Sequence, residues 1–328
     1  MSEISKNTTE KFAEAYQQNN KQNALQRGVV KNGITASAET IQGHVNNVPV
    51  FSVDVTTGKV SNQKQSGRCW MFAALNTFRH KMLNAFNLKD FELSQNHTFF
   101  WDKYEKANYF YENVLATAQE PLSSRKVAFL LQTPQQDGGQ WDMIVSIFQK
   151  YGVVPKAVMP ESSNSSNSRD LNNYLNKKLR KDAGTLRQLV ADGQSEAAIQ
   201  EAKEGMLQEI YNFLATSLGT PPETFDFEYR DEEKNYHIDR GLTPQTFYDK
   251  YVGVDLDDYV SIINAPTADK PYNKSYTVEM LGNVVGGKEV KYLNVDMETF
   301  KKLAIAQLEQ GESVWFGCDV GQSSTLSL

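Results

Sequence analysis

Cysteine and histidine are scarce in this sequence, two and four among 328 residues, and the scarcity removes whole classes of function. Cys69 and Cys318 alone cannot build a disulfide framework. No His-Glu-x-x-His run and no Cys-x-x-Cys pair occurs, so no metal and no cofactor is expected. No stretch approaches the roughly 18 apolar residues of a membrane span. The first twenty residues are too polar for the apolar segment of a secretory signal. A cytoplasmic protein without membrane contact is therefore expected. Basic residues are not in excess either: 34 Lys and Arg stand against 40 Asp and Glu, for a net charge of −6. Nothing in that balance favours nucleic acid or an anionic surface as partner. What the chain does have is 40% hydrophobic and 11% aromatic residues, which excludes a wholly disordered chain and allows one large domain or two fused units.

The most informative stretch is Asn62-Gln63-Lys64-Gln65-Ser66-Gly67-Arg68-Cys69-Trp70-Met71-Phe72-Ala73-Ala74-Leu75. A polar loop with a Ser-Gly pair delivers Cys69 to the start of a segment whose apolar residues, Met71, Ala74, Leu75, Phe78 and Met82, recur at helical spacing. A helix start offers unpaired N–H groups and partial positive charge, the setting in which a thiolate is favoured. Gln63 lies six residues upstream, and its side-chain amide is a donor able to turn back over the thiol. A nucleophile beside an oxyanion donor is the core of acyl-transfer chemistry. The bland reading of a lone cysteine is an inert core residue; the polar lead-in, the helix start and Gln63 argue against it for Cys69, whereas Cys318 has no such surroundings and reads as core. Arg68 reads either as a solvated charge or as a cation beside the thiol.

Gln, five residues, Cys-Trp and a small-residue helix resemble the nucleophile region of the papain-like cysteine peptidases. The Gly-Arg-Cys-Trp form is similar to the bleomycin hydrolase and bacterial aminopeptidase C branch. The resemblance implies a papain-like α+β fold, with a helical half carrying Cys69 and an antiparallel β half facing it across a cleft. It implies a cysteine aminopeptidase acting on peptides, with Cys69 as nucleophile and with Gln63 and the Cys69 N–H sharing the oxyanion. It also implies a homohexamer. Asp137-Gly138-Gly139 matches the family's Asn-Gly-Gly segment, with Asp for Asn. The resemblance gives Gly138 and Gly139 a substrate-binding role, the second pairing its backbone with the peptide; structurally, Gly-Gly between helices is simply a turn.

Along the chain, 1–45 reads as a polar helical lead-in. Val48 to Val55 alternates as a strand turning at Thr57-Gly58, and 46–161 is the helical half. Leu93-Ser94 opens a second helix, and further helices run over 125–131 and 143–151. Residues 162–168 are a Ser/Asn tract read as a surface loop or boundary. Residues 162–275 form a mainly helical insertion, broken at Ala191-Asp192-Gly193. From 276 the β half begins, with a hairpin over 278–295 across Gly286-Gly287, a helix over 297–310 and a buried strand over 313–320. Gly282 to Glu289 nearly spells a phosphate-binding loop, but Glu289 cannot offer magnesium a hydroxyl, and the stretch reads as a turn.

The second half of the catalytic pair is not evident. A cysteine peptidase needs a histidine to share the thiol proton and protonate the leaving amine. His80 lies eleven residues beyond Cys69 on one helix, about 16 Å away at 1.5 Å per residue. His97 packs within its own helix, and His44 and His237 sit in polar contexts. The family's His strand and Asn-Ser-Trp-Gly are not found, so the sequence reads as a C-terminally truncated member with an incomplete β half. The rival to a peptidase is a non-catalytic fragment or interaction protein that retains a reactive thiol. A nucleotide-binding protein or nuclease is a distant third.

Overall fold

The computed structural model describes residues 3–55 and 57–318, apart from the side chain of His44. The chain divides into two compact units, and Val55–Phe316 forms the larger. In the smaller unit lie four helices, α1 (Lys6–Gln17), α2 (Asn20–Asn32), α3 (Ile34–Ala38) and α4 (Ile41–Asn46). Ser5 and Asn19 cap the first two by accepting from the N–H groups of their first turns. These four helices bury none of their described residues, and Phe12, Leu25, Ile34 and Ile41 are all exposed.

The larger unit begins with α5 (Cys69–Ala85), α6 (Gln95–Ala116), α7 (Arg125–Gln132) and α8 (Trp141–Tyr151). Met71, Ala74, Leu75, Phe78 and Met82 are all buried, as their spacing predicts. Phe78 meets the rings of Trp141 and Phe148 from α8. Ser94 caps α6 by accepting from His97 N–H at 3.0 Å, and its own hydroxyl donates to Met159 O. Gly152, at φ +62°, ends α8; a Cβ there would lie 2.3 Å from the Pro244 carbonyl oxygen, so only glycine fits.

A single turn, α9 (Ser163–Ser166), precedes the antiparallel pair α10 (Arg169–Ala191) and α11 (Glu196–Leu218), which packs on α6. The Ser/Asn tract is thus not a surface loop. Ser162 and Ser165 form a capping box, and Ser165 and Ser168 are buried. Strands β1 (Phe225–Arg230) and β2 (Tyr236–Leu242) form an antiparallel ribbon, followed by the short α12 (Pro244–Phe247). A three-stranded sheet is ordered β3 (Ile262–Ile263), β5 (Lys291–Asn294), β4 (Lys274–Thr277), with Tyr276 opposite Tyr292, and α13 (Met297–Glu309) follows it. The expected hairpin therefore pairs 274–277 with 291–294. Its connection is long because Asn283 turns inward to donate to Asp102 and to Met143 O.

Two expected strands are not formed. Residues 48–55 alternate in sequence, but Val48, Val50 and Phe51 are exposed and no described strand lies beside them. Residues 313–318 are likewise irregular, with Phe316 and Cys318 exposed; 319 and 320 lie outside the described residues. A strand needs a neighbour to take its backbone hydrogen bonds. Trp315 is anchored by donating to Trp70 O at 2.9 Å and leaning on Trp141, and Ser313 O accepts from Gln307 Nε2 at 2.8 Å. Among the described residues, no helix is long and apolar enough to cross a membrane.

Candidate active site

The loop before Cys69 is fixed by polar contacts, some within the loop and some to Glu161, 166–168 and Asp137. Asn62 Oδ1 accepts the Lys64 N–H at 2.7 Å, which holds Lys64 at φ +52°. Ser66 Oγ donates to Gln63 O at 2.7 Å and accepts from Arg68 Nε at 2.9 Å. Gln65 pairs in parallel with Asn167, its N–H donating to Ser166 O and its carbonyl accepting from Ser168 N–H. Arg68 O then accepts the N–H groups of Met71 and Phe72, so the helix begins at Cys69. Cys69 is exposed, and its thiol has no hydrogen bond among the described residues.

Arg68 corrects both sequence readings. It is 1% exposed, neither solvated nor free to serve the thiol. Its guanidinium makes a bidentate pair with Glu161, at 3.0 and 2.7 Å, and lies 5.0 Å from the ring centroids of Phe72 and Phe99. Gln63 is half-buried. Its side chain makes no hydrogen bond among the described residues, and its Oε1 is shielded from water. The side chains of Asn62, Gln65, Ser66 and Arg68 in the same loop are all hydrogen-bonded.

Behind the loop lies a buried polar centre that the sequence reading missed. Asp137 Oδ2 accepts from Gly67 N–H at 3.1 Å and from Ser168 Oγ at 2.5 Å; Oδ1 accepts from Asn172 Nδ2 at 2.8 Å and lies 2.7 Å from Lys103 Nζ. Burial pushes this carboxyl up, but Lys103 and the donors around it outweigh burial and hold it well below the usual carboxylate range. Burial pulls Lys103 down to about 8, with Asp137 opposing that shift. Lys106 Nζ reaches Asp102, Gln136 O and Gly138 O at 2.7–2.9 Å. Gly139 sits against Trp70, where a Cβ would come within 2.6 Å of the indole; at Gly138 a Cβ would meet nothing within 4 Å. A signal for these cations was present. Phe99, Lys103, Lys106 and Phe110 fall on one face of α6, and a lysine at a core position must be paired.

The histidines are placed elsewhere. His97 is buried; its Nε2 accepts from Trp101 Nε1 at 3.2 Å, which leaves Nδ1 to carry the proton without a partner. His80 is buried with Nε2 3.1 Å from Gly311 O, and His237 lies 3.0 Å from Asp231 on β2. Burial holds the His97 imidazole down at about 3, against an ordinary 6.5. The unfolded chain binds this proton between those values and the folded one does not, so stability is complete above pH 6.5 and lost as pH falls towards 3. Denaturant unfolding at pH 7 and pH 5 is expected to differ by about 2 kcal/mol from this group alone. His97→Phe should remove that difference, and an unchanged pH slope in the variant would refute the assignment.

An exposed cysteine opening a helix with a buried face, a half-buried glutamine six residues before it, and a Gly-Gly segment against the following tryptophan define a papain-like arrangement. The Peptidase C1-like family model matches residues 3–327. Aminopeptidase C of Streptococcus thermophilus is 62% identical over 324 residues, covering 99% of this chain and 73% of that protein. Aminopeptidase C of Lactococcus lactis subsp. lactis (strain IL1403) is 58% identical with the same coverage. Among solved structures, PepW from Lactobacillus rhamnosis HN001 superposes with a TM-score of 0.96 at 66% identity, covering 98% of this chain and 72% of that one. The chain belongs to the Peptidase C1-like family and has the papain-like α+β fold.

Proposed function

We propose that this chain is a cysteine aminopeptidase of the bleomycin hydrolase branch, with Cys69 as its nucleophile. The observation that carries the reading is the exposed, unengaged Cys69 thiol at the start of α5, in a loop where the Asn62, Gln65, Ser66 and Arg68 side chains are hydrogen-bonded and the Gln63 amide is not. In the proposed reaction Sγ attacks the carbonyl carbon of the N-terminal residue, and the oxyanion lies between the Cys69 N–H and the Gln63 amide. The C–N bond breaks, the leaving amine takes up a proton, and water then hydrolyses the thioester. Gly138, with open space beside it, and Gly139 would present backbone to the peptide. No cofactor enters this chemistry.

Residues 46–161 would supply the nucleophile, 162–275 an insertion over it and 276–328 the start of the facing half. The relatives named aminopeptidase support the exopeptidase reading. A homohexamer in the cytoplasm is proposed with it. The exposed Phe12, Leu25, Ile34 and Ile41 on helices that bury nothing support contacts between copies. A fluorogenic aminoacyl amide with a free α-amine should be cleaved at least ~10-fold faster than its N-acetylated form, since the acetyl group removes the charge an aminopeptidase site recognises. Equal rates would contradict the exopeptidase reading, and a monomer by light scattering would contradict the hexamer.

A further inference from the structure

Asp137 contacts the residues flanking Cys69 on both sides, the backbone of Gly67 before it and the indole of Trp70 after it. Its carboxylate accepts the Gly67 N–H at 3.1 Å, two residues before the nucleophile, and its main-chain carbonyl accepts the Trp70 indole N–H at 2.7 Å, one residue after it. Gly67 permits this approach, since a Cβ there would stand 2.9 Å from Asp137 Cβ. Asp137 is itself held from every direction. Lys103, Ser168 and Asn172 engage its carboxylate, and Lys106 donates to the carbonyls of Gln136 and Gly138 on either side of it.

We infer that Asp137 is a positioning residue for the nucleophile: through Gly67 and Trp70 it fixes where Cys69 and the oxyanion loop stand relative to the start of α5. This rests on the reading of Cys69 as the nucleophile, but it concerns the geometry of the thiol and does not depend on turnover. The buried carboxylate acts as an acceptor, and its charge is balanced by Lys103 so that the acceptor can be buried. An uncharged acceptor of the same shape should therefore serve.

The test compares two neutral pairs in a Cys318→Ser background. Asp137→Asn with Lys103→Met keeps an acceptor for Gly67 N–H and Ser168 Oγ. The new amide N–H faces Asn172, whose Oδ1 has no partner and can turn to receive it. Asp137→Ala with Lys103→Met buries no unpaired charge but loses the acceptor. Iodoacetamide should alkylate Cys69 about tenfold more slowly in the alanine pair, with the asparagine pair within about twofold of the parent. Both rates are read below the unfolding transition of each protein. Equal rates in the two folded pairs would overturn the proposal. If neither pair folds, amide exchange in the parent decides. Gly67 N–H should be protected like a helical amide despite lying in a loop, and free exchange there would overturn the inference. A peptidase assay that fails while the two pairs differ in alkylation would sink the function and leave the positioning role standing.

Discussion

Arg68→Ala is expected to cost about 3–5 kcal/mol, because it leaves Glu161 without its partner at the edge of the core. Arg68 is 1% exposed, its two terminal nitrogens are both committed to Glu161, and Nε holds Ser66 in the loop. Urea unfolding of parent and variant measures the difference. Arg68→Lys should recover only part of it, since an ammonium cannot make the bidentate contact or hold Ser66 at the same time. A loss below about 1 kcal/mol would place Arg68 among ordinary surface pairs and contradict the buried clamp described here.

The second large effect concerns chemistry. Assayed on their own, these 328 residues are expected to hydrolyse an aminoacyl amide ~10²–10⁴-fold more slowly than a thiol paired with a positioned imidazole would. His97 is enclosed in α6 with Trp101 on its Nε2, His80 is buried near Gly311 O, and His237 faces Asp231 on the β1–β2 ribbon. None of these hydrogen-bonds the Cys69 thiol, and the side chain of His44 lies outside the described residues. Whatever turnover remains should vanish in Cys69→Ala and fall ~10²–10³-fold in Gln63→Ala, the cost of one oxyanion donor. Rapid turnover that depends on Cys69 would show that one of the four histidines serves as the acid. Turnover indifferent to Cys69→Ala would refute Cys69 as the nucleophile, and no turnover at all from a folded protein with a reactive Cys69 would favour the rival reading, an interaction protein with a reactive thiol.

The helical parts of the fold were legible because each carries its own signal. The 3.6-residue spacing from Met71 to Met82 marks the buried face of α5, Ser94 marks the start of α6, and Gly152 marks the end of α8. Strands were less legible because a local pattern states only which faces a segment could bury; 48–55 alternates and 313–318 is apolar, yet among the described residues neither has a strand to pair with. The nucleophile loop was readable as a motif, but its support was not. Arg68 read as a solvated charge or a cation beside the thiol, and 162–168 as a surface loop or boundary. Their roles arise from contacts spanning many residues, Arg68 to Glu161 and Ser168 to Asp137, which local pattern cannot report. The two lysines on the apolar face of α6 were the one local hint that a buried charged centre stood behind the loop.

Cys69, and not Cys318, is proposed as the nucleophile, although both thiols are exposed. The most direct measurement treats the folded protein with an aminoacyl chloromethyl ketone and locates the adduct by peptide mass spectrometry. The thiolate displaces chloride without needing a leaving amine to be protonated, so the result does not require a histidine as general acid. A single adduct is expected at Cys69, formed at least ~10-fold faster than any at Cys318, and blocked by a competing peptide with a free N-terminus. Labelling of Cys318 at an equal or greater rate would contradict it.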